Sequence, residues 1–375
     1  ANGHSEVVKI LLKDPRVDPG ADYNYAIKWA SANGHSEVVK ILLKDPRVDP
    51  GTNYNYAIKL SSRNGHVEVV KLLLKDSRVD PAAGNNSAIG CASRDGHVEV
   101  VKILLEDSRV DPGDDNNYAI EWASRNGHVE VVKILLMDSR VDPGANYNFA
   151  IEWASYYGHT KVVKILLKDS RVDPGADSNY AIRWASERGH VEVVKLLLTD
   201  SRVDPGADNN FAIRRASEHG HFEVVKLLLK DSRVDPGANY NYAICQASEC
   251  GHVEVVKLLL KDSRVDPGAD NNFAIECASD CGHVEVVKVL LEDSRVDPSV
   301  NDNYCIRGAV EHGYVDTVRL LIMHPKIDSS ALRTLKAPKS VPKYLRKEIK
   351  EIIRTSSKVI GMSYPLFHEC LKLLQ

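Results

Sequence analysis

No run of about 18 apolar residues occurs anywhere in this 375-residue chain, so no membrane-spanning helix is expected. Neither charge dominates: 49 Lys and Arg stand against 52 Asp and Glu, a formal net charge of −3. A chain dedicated to nucleic acid would carry a basic excess, so no such role is expected. There is no glycine-rich phosphate loop, no nucleophile elbow and no C-x-x-C pair. No catalytic residue, cofactor site or metal site is therefore assigned, and the chain is not expected to be an enzyme. Seven scattered cysteines, an odd number without framework spacing, imply reduced thiols and an intracellular, cytoplasmic setting. The first residue, Ala1, falls inside a repeat and is not Met, so further sequence is expected upstream; a signal peptide or another domain could stand there. Tryptophan is scarce, with four residues, which makes its placement informative.

What is abundant is repetition. Gly-His recurs every 31 residues, at Gly3-His4, Gly34-His35, Gly65-His66 and onward to Gly282-His283, with Gly313-Tyr314 as a further copy. Each copy continues with a variant of V-E-V-V-K-L-L-L and then D-S-R-V-D-P-G-A-D. A fixed period of this length marks stacked supersecondary units. Such a stack offers a long surface instead of a central pocket.

In residues 55–85, Asn55 reads as a helix N-cap ahead of a first helix from Tyr56 to about Arg63, with Ala57, Ile58 and Ser61 or Ser62 facing inward. Gly65 closes it, because glycine reaches left-handed backbone angles cheaply. A second helix, His66 to Lys75, carries Val69, Val70, Leu72, Leu73 and Leu74 on a broad apolar face. Asp76-Ser77-Arg78-Val79-Asp80-Pro81 then leaves the helix, with local Asp–Arg pairing expected at the turn. Neither helix can bury its apolar face alone.

These residues resemble the ankyrin repeat family over residues 1–328. Tyr56-Ala57-Ile58-Lys59-Leu60-Ser61-Ser62 aligns with the family's T-P-L-H-L-A-A, and Asn64-Gly65-His66-Val67-Glu68-Val69-Val70-Lys71-Leu72-Leu73-Leu74 follows its N-G-H-x-E-V-V-K-L-L-L. The period is shorter than the usual 33, and the loss falls in the hairpin, so a tight Asp-Pro-Gly turn is expected there. This short form is similar to ankyrin arrays of amoebae and their giant viruses. The Thr-Pro and His of T-P-L-H are absent; packing of Tyr25, Tyr56, Tyr118, Phe149 and their equivalents is expected to replace the bonds those residues make. The resemblance implies an all-α solenoid of helix-turn-helix units, a curved rod with a concave groove.

It also implies that the variable face of the first helices lines that groove and binds a partner. All four tryptophans occupy one column there: Trp29, Trp122, Trp153 and Trp184. Tyr156 and Tyr157 fall among them. A second column runs from basic Arg63, Arg94 and Arg125 through Tyr156 to acidic Glu187, Glu218 and Glu249, which would orient an extended partner. Trp29, Trp122, Trp153, Trp184, Tyr156, Tyr157, Arg94, Arg125, Glu187 and Glu218 are the candidate partner-binding residues. Tyr23, Tyr54, Tyr147 and Tyr240 add rings at the turn tips. The repeated histidines, one per unit at about 10 Å spacing, suit capping and packing better than a metal ladder.

Residues 329–375 read as a tail that caps the array, with an amphipathic helix over Pro342–Arg354 and a short one over Leu366–Leu374. The expected function is a non-enzymatic scaffold binding a protein or extended peptide. The alternatives are an architectural part of a larger assembly, such as a filament or virus-like particle, and a ubiquitin-ligase-type adaptor acting through the tail.

Overall fold

The computed structural model describes residues 3–327 and 335–359. The expected helix at Leu366–Leu374 lies outside the described residues. Among those residues there are 22 helices and no strand. The chain divides into two compact units, residues 1–181 with 199–203, and residues 182–198 with 204–375. Each is a stack of helix pairs. In the first, Thr52–Arg63 packs on its own second helix, Val67–Leu74, and on the first helices Ala21–Ala32 and Ala83–Arg94. In the second, Ala238–Glu249 sits in the same way on Val253–Leu260 and between Ala207–Glu218 and Ala269–Asp280.

The core repeats with the sequence. Ala57, Ile58, Val69, Val70, Leu73 and Val79 are buried, as are their equivalents unit after unit. Burying one such aliphatic side chain contributes about 1.5–3 kcal/mol. The first helix ends where glycine permits: Gly65 has φ +74°, the Gly65 N–H reaches Ser62 O at 3.2 Å, and the His66 N–H reaches Ser61 O at 2.9 Å. That pair of bonds satisfies carbonyls the helix end would leave open.

The start of the first helix departs from expectation. Asn55 does not cap it. The segment opens with three successive left-handed residues, Asn53, Tyr54 and Asn55, at φ between +55° and +57°. The same triplet recurs as Asp115-Asn116-Asn117, Asn146-Tyr147-Asn148 and Asn239-Tyr240-Asn241. Left-handed backbone costs roughly 1–2 kcal/mol per ordinary residue, and Asn, Asp and Gly tolerate it best. Those residue types fill most of these positions. The third Asn of the triplet is buried and binds the turn that follows the second helix: Asn55 Oδ1 accepts the Asp80 N–H at 2.8 Å, and Asn117 Oδ1 accepts the Asp142 N–H at 2.6 Å. The side chain read as a helix cap therefore ties the start of the unit to the turn at its end.

The turn arginines do more than pair locally. Arg78 donates two bonds to the Asp76 carboxylate, at 2.9 and 2.6 Å, which holds Asp76 below its ordinary pKa. Its remaining guanidinium nitrogen donates to Val48 O of the preceding unit at 2.7 Å. Arg109, Arg140 and Arg171 repeat this reach to Val79, Val110 and Val141. The histidines tie units too. His66 Nε2 donates to Ala32 O at 2.9 Å and His128 Nε2 to Arg94 O at 2.8 Å.

One buried column has no bonding role. Ser93, Ser124 and Ser155 are fully buried, and their hydroxyls have no hydrogen-bond partner. The last unit places Val310, also buried, in that column. An unsatisfied buried hydroxyl costs on the order of 1–3 kcal/mol. Ser124→Ala is therefore expected to leave stability unchanged or raise it by about 1 kcal/mol, read as a higher urea midpoint at constant slope. A loss above that size would show that the hydroxyl has a partner in solution.

At the C-terminal end, helix Lys343–Val359 packs against Val315–Ile322. Ile349 and Ile353 are buried, Leu345 and Ile352 half-buried, while Lys343, Lys347, Lys350 and Arg354 are exposed. Arg319 joins the two helices through Glu348 at 2.6 Å.

Candidate functional site

Most of the variable tryptophan column of the first helices is half-buried, while Cys91 and Gly308 within it are buried. Trp122, Trp153 and Trp184 are half-buried, and Trp29 is 49% exposed. Trp29 stacks near Tyr25 at 5.6 Å and lines an apolar cavity with Val7, Val8 and Leu11. In the column before it, Tyr118 and Phe149 lie beside Trp122 and Trp153, at 5.5 and 6.4 Å between ring centres. Those rings are half-buried too, so the aromatic residues standing at the family's Thr position pack against the tryptophans.

The densest cluster is in the first compact unit. The Arg125 guanidinium lies 4.6 Å from the Trp122 ring centre and 4.5 Å from that of Trp153, between the two. It also donates to the Tyr157 hydroxyl at 3.1 Å. Tyr157 stacks on Trp153 at 6.0 Å, and Tyr156 meets both rings edge-on, at 5.7 Å from Trp153 and 4.8 Å from Tyr157. Cation–π contacts of this kind contribute about 0.5–2 kcal/mol each. They also hold long, mobile side chains in one arrangement before any partner arrives.

Several charged residues of the second column are paired within the chain. Arg94 pairs with Asp95 at 2.9 Å, and Arg63 approaches the same carboxylate at 3.8 Å. In the second unit, Arg215 takes the tryptophan place and binds Glu187 at 3.1 Å and Glu218 at 2.6 Å. Thus Arg94, Glu187 and Glu218 already have partners. Of the four turn-tip tyrosines, each is at least 74% exposed and each sits at a left-handed residue.

The variable column that begins with Lys28 lies on the same helix face, but none of its residues is among the candidates named from the sequence. One position before the tryptophans stand Glu121 and Glu152. Glu152 is only 8% exposed, and its Oε1 has no hydrogen-bond partner. Burial, together with nearby Asp177 and Glu121, raises its pKa from 4.5 to about 8. Glu121 is raised as well, chiefly by burial. The signal was available as an offset: residues of this column meet the tip residue 25 positions on. Arg183 binds Asp208 at 2.8 Å and Glu276 accepts from Asn301 at 2.6 Å. For Glu152 that residue is Asp177, acid facing acid.

The titration has a definite sign. The folded chain holds the Glu152 proton at pH values where the unfolded chain has released it. Stability therefore falls as pH rises from about 4.5 through 8 and is level above that. Glu152→Gln should match the wild type near pH 4 and become progressively more stable than it up to pH 8, measured by urea unfolding across that range. A constant difference at every pH would show that Glu152 titrates alike in the folded and unfolded chain.

The chain belongs to the ankyrin repeat family. A family model of ankyrin repeats, three copies long, matches residues 1–85, 55–150, 151–240, 213–302 and 246–333. No curated protein matches the chain. Ankyrin repeats are generally modules for protein–protein interaction and typically not catalytic. Among the described residues, no helix is long and apolar enough to cross a membrane.

Proposed function

We propose that this chain is a non-enzymatic scaffold that binds a protein or extended peptide along the variable face of its first helices, with the turn tips contributing. The observation that carries this reading is the cluster of Trp122, Trp153, Tyr156 and Tyr157 around Arg125. Large rings held in place, half-covered and half-open, are the usual form of a binding hot spot. They are not needed to close the core, because Ile120, Ala123, Ile151 and Ala154 already fill the inward face beneath them. Arg94 and Trp29 extend the same face within the first unit, and Trp184, Glu187 and Glu218 are the corresponding candidates in the second. Helix Lys343–Val359 acts as a cap, since it packs on Val315–Ile322 with Ile349 and Ile353 buried.

The test is selection of binders from a random peptide display library on the full chain, followed by Trp122→Ala with Trp153→Ala. Loss of the selected peptides with retained helix content supports the reading. Retained binding with a collapsed melting temperature would assign these rings to the frame.

A further inference from the structure

We infer that the carboxyl group cluster of Glu121, Glu152 and Asp177 receives a lysine or arginine side chain of the bound polypeptide, beside the Trp122 and Trp153 rings. This rests on the scaffold reading above and names the chemistry of the occupant.

Three observations carry it. First, Glu152 is buried to more than nine tenths, yet its Oε1 bonds to nothing. A buried carboxyl oxygen without a partner costs free energy that a donor would recover. Second, the fold supplies that donor at the equivalent places. Arg183 complements Asp208, and Asn301 complements Glu276, each across the same 25-residue offset. Even Glu121 has the Asn146 amide nearby, at 3.5 Å. At Glu152 the offset delivers Asp177, a third acid. Third, the surroundings suit a cation: Asp177 is exposed, Glu121 half-exposed, and two indole rings stand one residue along from the two glutamates. Indole faces attract ammonium and guanidinium groups, as Arg125 already demonstrates.

The charge selects among occupants. The exposed acidic tip residue Asp177 disfavours nucleic-acid phosphates at this place. Among the described residues no group of three or more His, Cys, Asp or Glu is placed to hold a metal ion. A side-chain cation on a flexible stem, arriving with a peptide, meets both the carboxyls and the rings.

The experiment repeats the peptide selection on the full-length wild type and on Glu152→Gln with Asp177→Asn. Wild type should enrich Lys or Arg at one fixed position, and the double variant should not. A synthetic peptide from the wild-type pool, labelled with fluorescein, should bind the wild type about tenfold more tightly than the double variant by anisotropy at low salt. Its Lys→norleucine form should bind both alike. If the double variant fails to fold, Asp177→Asn, which alters an exposed tip, carries the comparison. A wild-type pool enriched at no basic position overturns this inference while leaving the scaffold reading intact. So does a Lys preference that survives the double substitution, or complete competition by spermidine at equal concentration. A selection that yields no binder at all removes the scaffold reading itself, and this inference with it.

Discussion

Replacing Trp122 and Trp153 together by alanine should weaken a selected peptide at least a hundredfold while moving the melting temperature little. Hot-spot aromatic residues each cost about 2 kcal/mol or more when truncated, and two of them exceed a factor of 100. The change in stability is smaller because both rings are only half-buried and lie outside the layer formed by Ile120 and Ile151. What the frame loses is the pair of contacts on Arg125 and the ring stack with Tyr157. Isothermal titration of the peptide and thermal melts of the same preparations separate the two effects. The single variants should each lose about tenfold or more, and their effects need not add, since both rings flank one guanidinium. Unchanged affinity in the double variant would sink the assignment.

The largest expected loss of stability comes from a residue with no side chain. Gly96 has φ +80°, and a Cβ built there would stand 2.5 Å from His128 Nδ1. Gly96→Ala would thus incur the left-handed backbone cost, about 1–2 kcal/mol. It would also displace the ring that donates to Arg94 O, a bond contributing about 1 kcal/mol. A total near 3 kcal/mol is expected at the interface between two adjacent helix pairs. Because a stack of repeats is held by nearest-neighbour contacts, hydrogen exchange around Ala92, Ser93 and Val98 should rise more than exchange several units away. His128→Ala tests the cause. On its own it should cost about 1–2 kcal/mol, and combined with Gly96→Ala the two costs should sum to less than their separate values, since the clash disappears with the ring. Strict additivity would show that the glycine is kept for its backbone angle alone.

Much of the architecture was legible because every unit solves the same packing problem with the same residues. The 31-residue period, the alternation of a Tyr-Ala-Ile helix with a Val-Val-Lys-Leu-Leu helix, and the Gly-His stop reappear in the coordinates at the expected places. The amphipathic tail helix did as well, though it runs to Val359 instead of Arg354. The candidate aromatic positions were found by comparing copies: the column takes Trp, Arg and Gly in turn, and its tryptophans prove only part-covered, although Cys91 and Gly308 in the same column are buried. The errors share one cause. Asn55 has a residue type that caps helices, and among its near neighbours in sequence a cap is the best use for it. Its real partner, the Asp80 amide, is 25 residues away, in the turn after the second helix. Arg78 was assigned to Asp76, two residues off, and that pair is real. Its bond to Val48 O, 30 residues back, could not be inferred from local spacing.

The amino-acid sequence by itself determined that this is a repeating stack of helix pairs and which side-chain columns the frame does not fix. It could do so because periodicity and residue tolerance are properties of order along the chain. Only the tertiary structure decided which of those side chains are already engaged, such as Arg94 with Asp95 and Arg215 with Glu187 and Glu218, and which is left wanting, as Glu152 is. Pairing between units depends on distances across the stack, and a carboxyl group's environment is set by neighbours one whole repeat away.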